Sequence, residues 1–189
     1  MDDALRTQVL DFWFGAPPHV SRESWWRKDP GFDAEIRDRF GDAVGKALAG
    51  AYGGWCVSAH GSLARVLLLD QFTRNAFRDT GKAFAGDARA LATAQDAIAR
   101  GYEAALDPFE RWFLYMPFQH SEDRDVQRRS LELFTALARE PGFDGALDYP
   151  QRHAAIVERF GRFPHRNALL GRESTPEEIA FLREPGSSF

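Results

Sequence analysis

The sequence lacks several features that mark secreted, membrane and nucleic-acid-binding proteins. It contains one cysteine, Cys56, so no internal disulfide can form. No apolar run approaches the ~18 residues that span a bilayer, and the acidic start does not resemble a signal peptide. The net charge of −4 disfavours a broad basic surface for nucleic acid. We therefore predict a cytoplasmic protein with neither a nucleic-acid nor a membrane partner.

Recognised catalytic and metal-binding motifs are missing as well. The sequence has no HExxH pair, no paired cysteines, no carboxylate-rich calcium loop and no GxSxG segment. Cys56 lies four residues before His60, but a free cysteine is usually a small buried hydrophobic residue. We predict no cofactor and no metal ion, and the sequence leaves open whether the protein is an enzyme.

Residues that favour strands are also scarce. Val, Ile and Thr together number 17, whereas Ala alone numbers 27 and Leu 17, a balance typical of helices. A length of 189 residues fits one domain with one core. We therefore predict a single all-α domain over residues 1–189, with about eight helices whose short connections make neighbours antiparallel.

Helix boundaries follow from apolar spacing and from capping residues. Residues 32, 36, 40, 44 and 48 are apolar and four apart, which predicts one buried stripe. Thr175 begins a capping box with Pro176 at the first helical position. Pro117 is predicted to end one helix and Gly161 another. The predicted helices cover residues 4–14, 32–48, 58 or 62 to an end within DQFTRN (70–75), 88–100, 108–116, 122–139, 150–160 and the segment from 175.

Three segments combine ionisable and aromatic residues at predicted helix ends. They are DQFTRN (residues 70–75), MPFQHSED (116–123) and RFGRFPHRN (159–167), the last preceded by His153. Residues 151–172 hold five arginines against one acid, so this window carries a net charge of +4 on an acidic chain. Such a local cationic patch indicates a small anionic ligand or an internal acidic partner.

The same segments resemble the motifs of a known family. DFWFG (11–15), LLLDQFTRNAFR (67–78), FLYMPFQHSED (113–123) and RFGRFPHRNALLGRESTPEE (159–178) are similar, in this order, to those of a bacterial family named domain of unknown function 924. The resemblance runs from about residue 10 to residue 182. It implies an all-helical fold of the tetratricopeptide-like superhelical kind, and it implies no established activity.

Acid–base catalysis is one function that these residues support. His120 or His165 would exchange protons with a substrate, while Glu122 or Asp123 would orient the ring. An arginine would stabilise developing negative charge, as in a small hydrolase. The same side chains, with His153, include potential ligands of a divalent ion. No recognised spacing supports a metal site, however, and the adjacent arginines would repel a cation.

Anion recognition is the function that the sequence favours. Arginine presents a forked, permanently charged set of donors to a phosphate or a carboxylate. The ligand would be a small anion or the acidic terminus of a peptide. The predicted ligand-binding residues are Asp70, Arg74, Asn75, His120, Arg162, His165, Arg166 and Asn167.

A purely structural role is the third alternative. In this hypothesis the protein is a tetratricopeptide-like interaction scaffold, and its arginines pair internally with Asp70, Glu122 and Asp123. Arginines buried without such partners would each cost several kcal/mol, on the order given for unpaired buried charges. The alternatives therefore differ in how many positive charges remain available to a ligand.

Overall fold

The computed structural model describes residues 2–188, which form eight α-helices joined by turns and short 3-10 segments. The helices are α1 (Asp2–Phe14), α2 (Pro30–Leu48), α3 (Ala59–Leu67, continued by Leu68–Phe72 and Thr73–Ala76), α4 (Asp87–Ala99), α5 (Pro108–Gln119), α6 (Arg124–Leu137), α7 (Asp148–Phe160) and α8 (Pro176–Phe181). The described residues contain no strand, and most of the buried apolar side chains form one core. The prediction of a single all-α domain with about eight helices is confirmed. Within residues 2–188, no helix is both long and apolar enough to cross a membrane.

Capping boxes begin two of these helices. At the start of α5, the Asp107 carboxylate accepts a hydrogen bond from the Glu110 N–H (3.0 Å), and Glu110 accepts one from the Asp107 N–H (2.9 Å). Thr175 and Glu178 form the same reciprocal pair at the start of α8, as predicted. Each box uses one oxygen of its glutamate and leaves the other available for a further contact.

The helix α3 lies at the centre of the domain. It packs against α1, α2, α4 and α5. Leu63, Val66, Leu67, Leu68 and Leu69 are fully buried, because this segment is apolar on almost every side. The predicted central position of this helix is confirmed.

Neighbouring helices are antiparallel where hydrogen bonds join both ends. Arg65 in the first half of α3 donates to Thr93 in the middle of α4 (2.8 Å). Arg74 at the end of α3 donates to Asp87 at the start of α4 (2.8 Å). The helices α5 and α6 are joined at both ends in the same antiparallel sense.

The helices α3 and α5 are instead parallel. His60 in the first turn of α3 pairs with Glu110 in the first turn of α5 (3.2 Å). Ten residues further along both helices, Asp70 contacts His120 (2.7 Å). The two helices therefore run side by side in one direction, with a histidine–carboxylate pair at each end.

One predicted helix end is wrong, because α5 continues through Pro117 to Gln119. Proline removes one N–H donor and crowds the preceding turn, which normally stops a helix. Here the lost donor lies only two residues before the helix end, and the His120 N–H still bonds the Met116 carbonyl (3.1 Å). Met116 and Phe118 are buried in the core, so packing holds the last turn. Apart from this end, the predicted boundaries lie within two residues of the observed ones.

Candidate functional site

A π-helical turn in α3 positions the first polar residues of the site. Leu68–Phe72 is π-helical and Thr73–Ala76 follows without a break, so this helix ends one residue beyond the predicted segment, residues 70–75. The Thr73 hydroxyl donates to the Leu68 carbonyl (2.8 Å), which adds a bond within the widened turn. Apolar spacing does not reveal a π turn, and such turns are frequent at functional sites. This one contains Asp70.

The start of α4 lies directly against this turn. A Cβ added to Gly86 would lie 1.9 Å from the Leu69 carbonyl oxygen, so only glycine allows this approach. Asp87, the first residue of α4, follows Gly86 in the chain. The close approach brings the Asp87 carboxylate within hydrogen-bonding distance of Arg74, which binds it through both terminal nitrogens (2.8 and 3.1 Å).

Asp70 is the most buried charge of the site, with none of its side chain exposed. Its Oδ1 accepts hydrogen bonds from Arg74 (2.9 Å) and His120 (2.7 Å), and its Oδ2 accepts one from Gln71 (2.6 Å). Burial alone would raise the pKa of Asp70, but the charges of Arg74 and His120 and these hydrogen bonds hold it well below its ordinary value. Asp70 is therefore ionised.

His120 follows the last residue of α5 and has 12% of its side chain exposed. Burial, and then the positive charge of Arg74, lower the pKa of this histidine, although Asp70 opposes the change. An ionised carboxylate only accepts hydrogen bonds, so Nδ1 of His120 carries the hydrogen that it donates to Asp70. Nε2 of the neutral ring is consequently a proton acceptor.

A second buried arginine, Arg166, reaches the same aspartate that binds Arg74. It donates to Asp87 through Nη1 (3.1 Å) and lies between the rings of Phe84 and Phe163, 4.6 and 4.5 Å from their centroids. Its Nε is buried and has no hydrogen-bond partner among residues 2–188. Burial and the nearby Arg74 lower the pKa of Arg166 to about 10, so it remains a cation.

Two further histidines complete the interior of the site. His153, on the buried face of α7, donates from Nδ1 to the Tyr149 carbonyl (2.8 Å), and its ring lies 5.9 Å from that of His120. Burial, followed by repulsion from His120, lowers the pKa of His153 to about 3. Burial and the charge of Arg166 lower the pKa of His165 to about 4. Both histidines are neutral at pH 7.

An ion pair behind these residues anchors the last segment of the site. Glu122 accepts two hydrogen bonds from Arg172 (2.7 and 2.9 Å) and a third from the Phe163 N–H (2.8 Å). Burial would raise the pKa of Glu122, but these donors lower it. The bonds hold the segment after α7 against the end of α5, so residues from all three polar segments lie together.

The sequence of this chain matches a family model described as bacterial protein of unknown function, DUF924, over residues 9–186. The chain belongs to this family. It is also similar to a solved structure, that of ATU0120 from Agrobacterium tumefaciens, itself a protein of unknown function. The sequences are 43% identical, the TM-score is 0.87, and the match covers 97% of this chain and 99% of that chain. No curated protein matches this chain.

The first segment of the DUF924 motif set supports the π turn from behind. Phe12 and Trp13 of α1 pack against Phe72, with ring centroids 5.8 and 5.5 Å apart. Arg22 donates to the carbonyls of both residues (2.6 and 2.7 Å) at the end of α1. A surface groove of about 510 Å³ adjoins Phe12 and Arg22 on the outer side of this segment.

Some predicted site residues lie outside the central cluster. Arg162 forms a bidentate pair with Glu178 of α8 (2.6 and 2.8 Å), and Asn167 donates to Ser174 (3.0 Å). Asn75 donates to Asp33 at the start of α2 (2.8 Å). These three contacts hold α8 and α2 in place.

The acidic partners of the arginines are only partly those predicted. Arg74 pairs with Asp70 as predicted, but also with Asp87. Arg166 pairs with Asp87, and Glu122 is paired with Arg172. The predicted partner Asp123 is exposed and caps α6, accepting from the N–H groups of residues 125 and 126 (2.8 and 3.0 Å), because a helix start competes for its carboxylate.

The positive window at residues 151–172 is balanced from other parts of the chain. Its arginines 159, 162, 166 and 172 pair with Glu177, Glu178, Asp87 and Glu122, respectively. The sequence gives no sign of the pairings of Asp87 and Glu178. The one local signal is that both acids lie in the first turn of a helix, where the helix dipole already favours a carboxylate.

Proposed function

We propose that this DUF924 protein binds a small anionic substrate beside Arg166 and His165, and that His120 exchanges a proton with that substrate. The observation that carries the proposal is the 2.7 Å contact between the fully buried Asp70 and Nδ1 of His120. A buried carboxylate in this position fixes both the tautomer and the orientation of the ring. The partly exposed His120 can then act as a general base through Nε2 and as a general acid once protonated.

Arg166 supports the anionic character of the substrate. One of its N–H groups bonds Asp87, its Nε has no hydrogen-bond partner, and its two faces are covered by phenylalanine rings. The aromatic cover excludes water, which strengthens an electrostatic contact to a phosphate or carboxylate. The predicted ligand residues Asp70 and Arg74 do not contact the ligand in this proposal. Asp70 orients His120, and Arg74 binds Asp87, the partner of Arg166.

The charges of the site set a condition on binding. Arg74 and Arg166 are balanced by Asp70 and Asp87, and the three histidines are neutral at pH 7. An additional anion therefore makes the cluster negative unless a histidine such as His165 takes up a proton. Anion affinity is expected to rise as the pH falls.

Among the reactions that use general acid–base catalysis, hydrolysis needs the fewest additional groups. Nε2 of His120 would accept a proton from a water molecule as its oxygen attacks an ester or phosphoester, and would return that proton to the leaving group. Ser121 has no part in this proposal, because its hydroxyl accepts a hydrogen bond from the Asp123 N–H (3.2 Å) at the start of α6.

The wider setting of the site is part of the same proposal. The antiparallel pairs α3–α4 and α5–α6 support helical hairpins of the tetratricopeptide-like kind, and their assembly into a superhelix stays a prediction. A cytoplasmic location also stays a prediction, supported by the single free cysteine, Cys56.

Thermal unfolding with phosphate, sulfate, acetate and succinate at pH 6 and pH 8 tests the binding. At least one anion is expected to stabilise the protein, by about 2.7 kcal/mol at a hundredfold excess over its Kd, with the higher affinity at pH 6. Arg166→Gln should remove this stabilisation. Arg159→Gln, an exposed arginine in the same segment that pairs with Glu177, should retain it. Absence of stabilisation by any of the four anions would contradict the proposal.

The proton-transfer step is tested with His120→Asn and nitrophenyl ester and phosphate substrates. The asparagine amide can still donate to Asp70, so the fold should be kept, but the proton acceptor is lost. Turnover is expected to fall by about 10²–10⁴-fold while anion binding at pH 8 is retained. Unchanged turnover in the folded variant would remove His120 from the mechanism.

A further inference from the structure

A second group of histidines and acids lies at the opposite end of α5 from His120. His19 in the connection after α1 contacts Asp107 through Nδ1 and Oδ2 (2.5 Å). His60 in the first turn of α3 contacts Glu110 through Nε2 and Oε1 (3.2 Å). Donor atoms of His19, Asp107 and Glu110 all lie within 4.8 Å of one another. His19, Asp107 and Glu110 thus form one group at the start of α5, and His60 contacts Glu110 from α3 without belonging to that group.

The capping box of α5 holds both carboxylates in place. The Asp107 Oδ1 and the Glu110 Oε2 each accept a backbone hydrogen bond within the box. The oxygens that remain are Oδ2 of Asp107 and Oε1 of Glu110, and these two face the histidines. Glu110 is buried, with 5% of its surface exposed, so its orientation is fixed by packing as well.

Arginine is the main difference from the site at His120. In the described chain, the ion pairs of Asp107 and Glu110 involve histidines and neither arginine nor lysine. An arginine-bound carboxylate is neutralised and crowded by a cation, whereas a histidine-bound carboxylate can exchange the shared proton for a metal ion. The helix start adds about half a positive charge, which two carboxylates exceed.

We propose that His19, Asp107 and Glu110 bind a divalent first-row metal ion, and that Zn²⁺ is its best-fitting occupant. One imidazole nitrogen and two carboxylate oxygens are a donor set that Zn²⁺ accepts, with a solvent molecule as the fourth ligand of a tetrahedral site. Metal bonds of about 2.0–2.2 Å place neighbouring donors somewhat over 3 Å apart. The three donor atoms already lie within 4.8 Å of one another, so small side-chain movements bring them to this spacing. The His19–Asp107 contact opens slightly when the metal replaces its proton.

Calorimetric titration of the chelator-treated full chain with Zn²⁺ tests the proposal, with Co²⁺ as a spectroscopic probe. One equivalent of Zn²⁺ is expected to bind, and Co²⁺ should give the visible absorption bands of a tetrahedral ion. His19→Ala and Glu110→Gln should each weaken Zn²⁺ binding by at least about tenfold, the lower bound seen when even an outer partner of a metal ligand is lost. Glu110→Gln is the sharper variant, because glutamine can still complete the capping box and so preserve the fold.

Two matched controls locate the ion. Glu178→Gln makes the same change in the capping box of α8, and His165→Ala removes a histidine from the other cluster. Both should bind Zn²⁺ as the unaltered protein does. Zn²⁺ binding that survives in His19→Ala and Glu110→Gln, or that is lost in His165→Ala alone, would overturn the assignment, as would the absence of binding at millimolar Zn²⁺.

Discussion

The two ends of the parallel helices α3 and α5 carry the same pair of side chains in different surroundings. At one end Asp70 contacts His120, and at the other Glu110 contacts His60, with 50 residues between the members of each pair. Asp70 is fully buried and shared with Arg74, whereas 52% of the His60 side chain is exposed and the described part of the chain pairs no arginine with Glu110. The neighbouring charges therefore decide what each pair can do.

An arginine next to the carboxylate makes the first end suited to anions and protons. Arg74 keeps Asp70 ionised, and burial keeps His120 neutral, so the ring can take up a proton from a bound group. The second end has two carboxylates that pair with no arginine or lysine of the described chain, which suits a metal ion instead. One helix pair thus presents two kinds of polar site from similar residues.

Removal of Asp70 should have the largest effect on stability. Asp70→Ala leaves Arg74 beside Asp87 alone and deprives His120 of its acceptor, at a position where none of the Asp70 side chain is exposed. The free energy of unfolding is expected to fall by about 3–5 kcal/mol, as when one partner of a buried ion pair is deleted. Urea unfolding followed by circular dichroism measures this loss.

The matched control is Glu35→Ala, which deletes an exposed partner of Arg39 at helical spacing in α2. That change should cost under about 1 kcal/mol. If the two variants lost similar stability, the Asp70 cluster would not be the buried ionic network that its geometry indicates.

The helices could be predicted largely because their signals are local. The capping box at Thr175 lies within one turn, and Gly161 ends α7 with a left-handed φ of 70°. The pairing of Arg166 with Asp87 joins residues 79 apart, and the contact of Gly86 with Leu69 depends on how two helices pack. No local pattern encodes such contacts.

The site shows the same division between local and long-range signals. The sequence indicates which polar residues follow apolar helices, but not that a π turn redirects Asp70. The sequence pattern also does not single out His19, which lies 88 positions from its contact Asp107. The parallel register of α3 and α5, which creates both histidine–carboxylate pairs, is a property of the packed domain alone.

Acidification should have an intermediate effect that is specific to the first end. The folded-state pKa values of His153 and His165, about 3 and 4, lie below the ordinary value of 6.5. The unfolded chain therefore binds protons below pH 6.5 that the folded chain does not. Stability is full above that pH and is lost as the pH falls toward the folded values.

Between pH 7 and pH 5 this loss should be on the order of 1–2 kcal/mol for each buried histidine. The lowered pKa values of Asp70 and Glu178 contribute only below about pH 4.5, where those acids begin to bind protons in the unfolded chain. Urea unfolding at the two pH values measures the difference. His153→Gln keeps a donor for the Tyr149 carbonyl but cannot titrate. The stability that this variant loses between pH 7 and pH 5 should therefore be smaller than that of the unaltered protein by on the order of 1 kcal/mol. An equal loss in both proteins would contradict the burial of a neutral His153.

The smallest effect on stability is expected for a substitution at the second end, the one with His60 and Glu110. His60→Ala removes a half-exposed ring from Glu110, whose remaining hydrogen bonds lie within the capping box. Without added metal, the free energy of unfolding should change by under about 1 kcal/mol, as for other exposed pairs. With saturating Zn²⁺ the difference between variant and unaltered protein should stay the same, because His60 lies outside the group of donor atoms proposed to bind the ion. His19→Ala should instead lose part of the stabilisation by Zn²⁺, which grows with the logarithm of the affinity. Urea unfolding with and without Zn²⁺ measures these differences, and a His60→Ala difference that grows with Zn²⁺ would contradict the assignment of the three ligands.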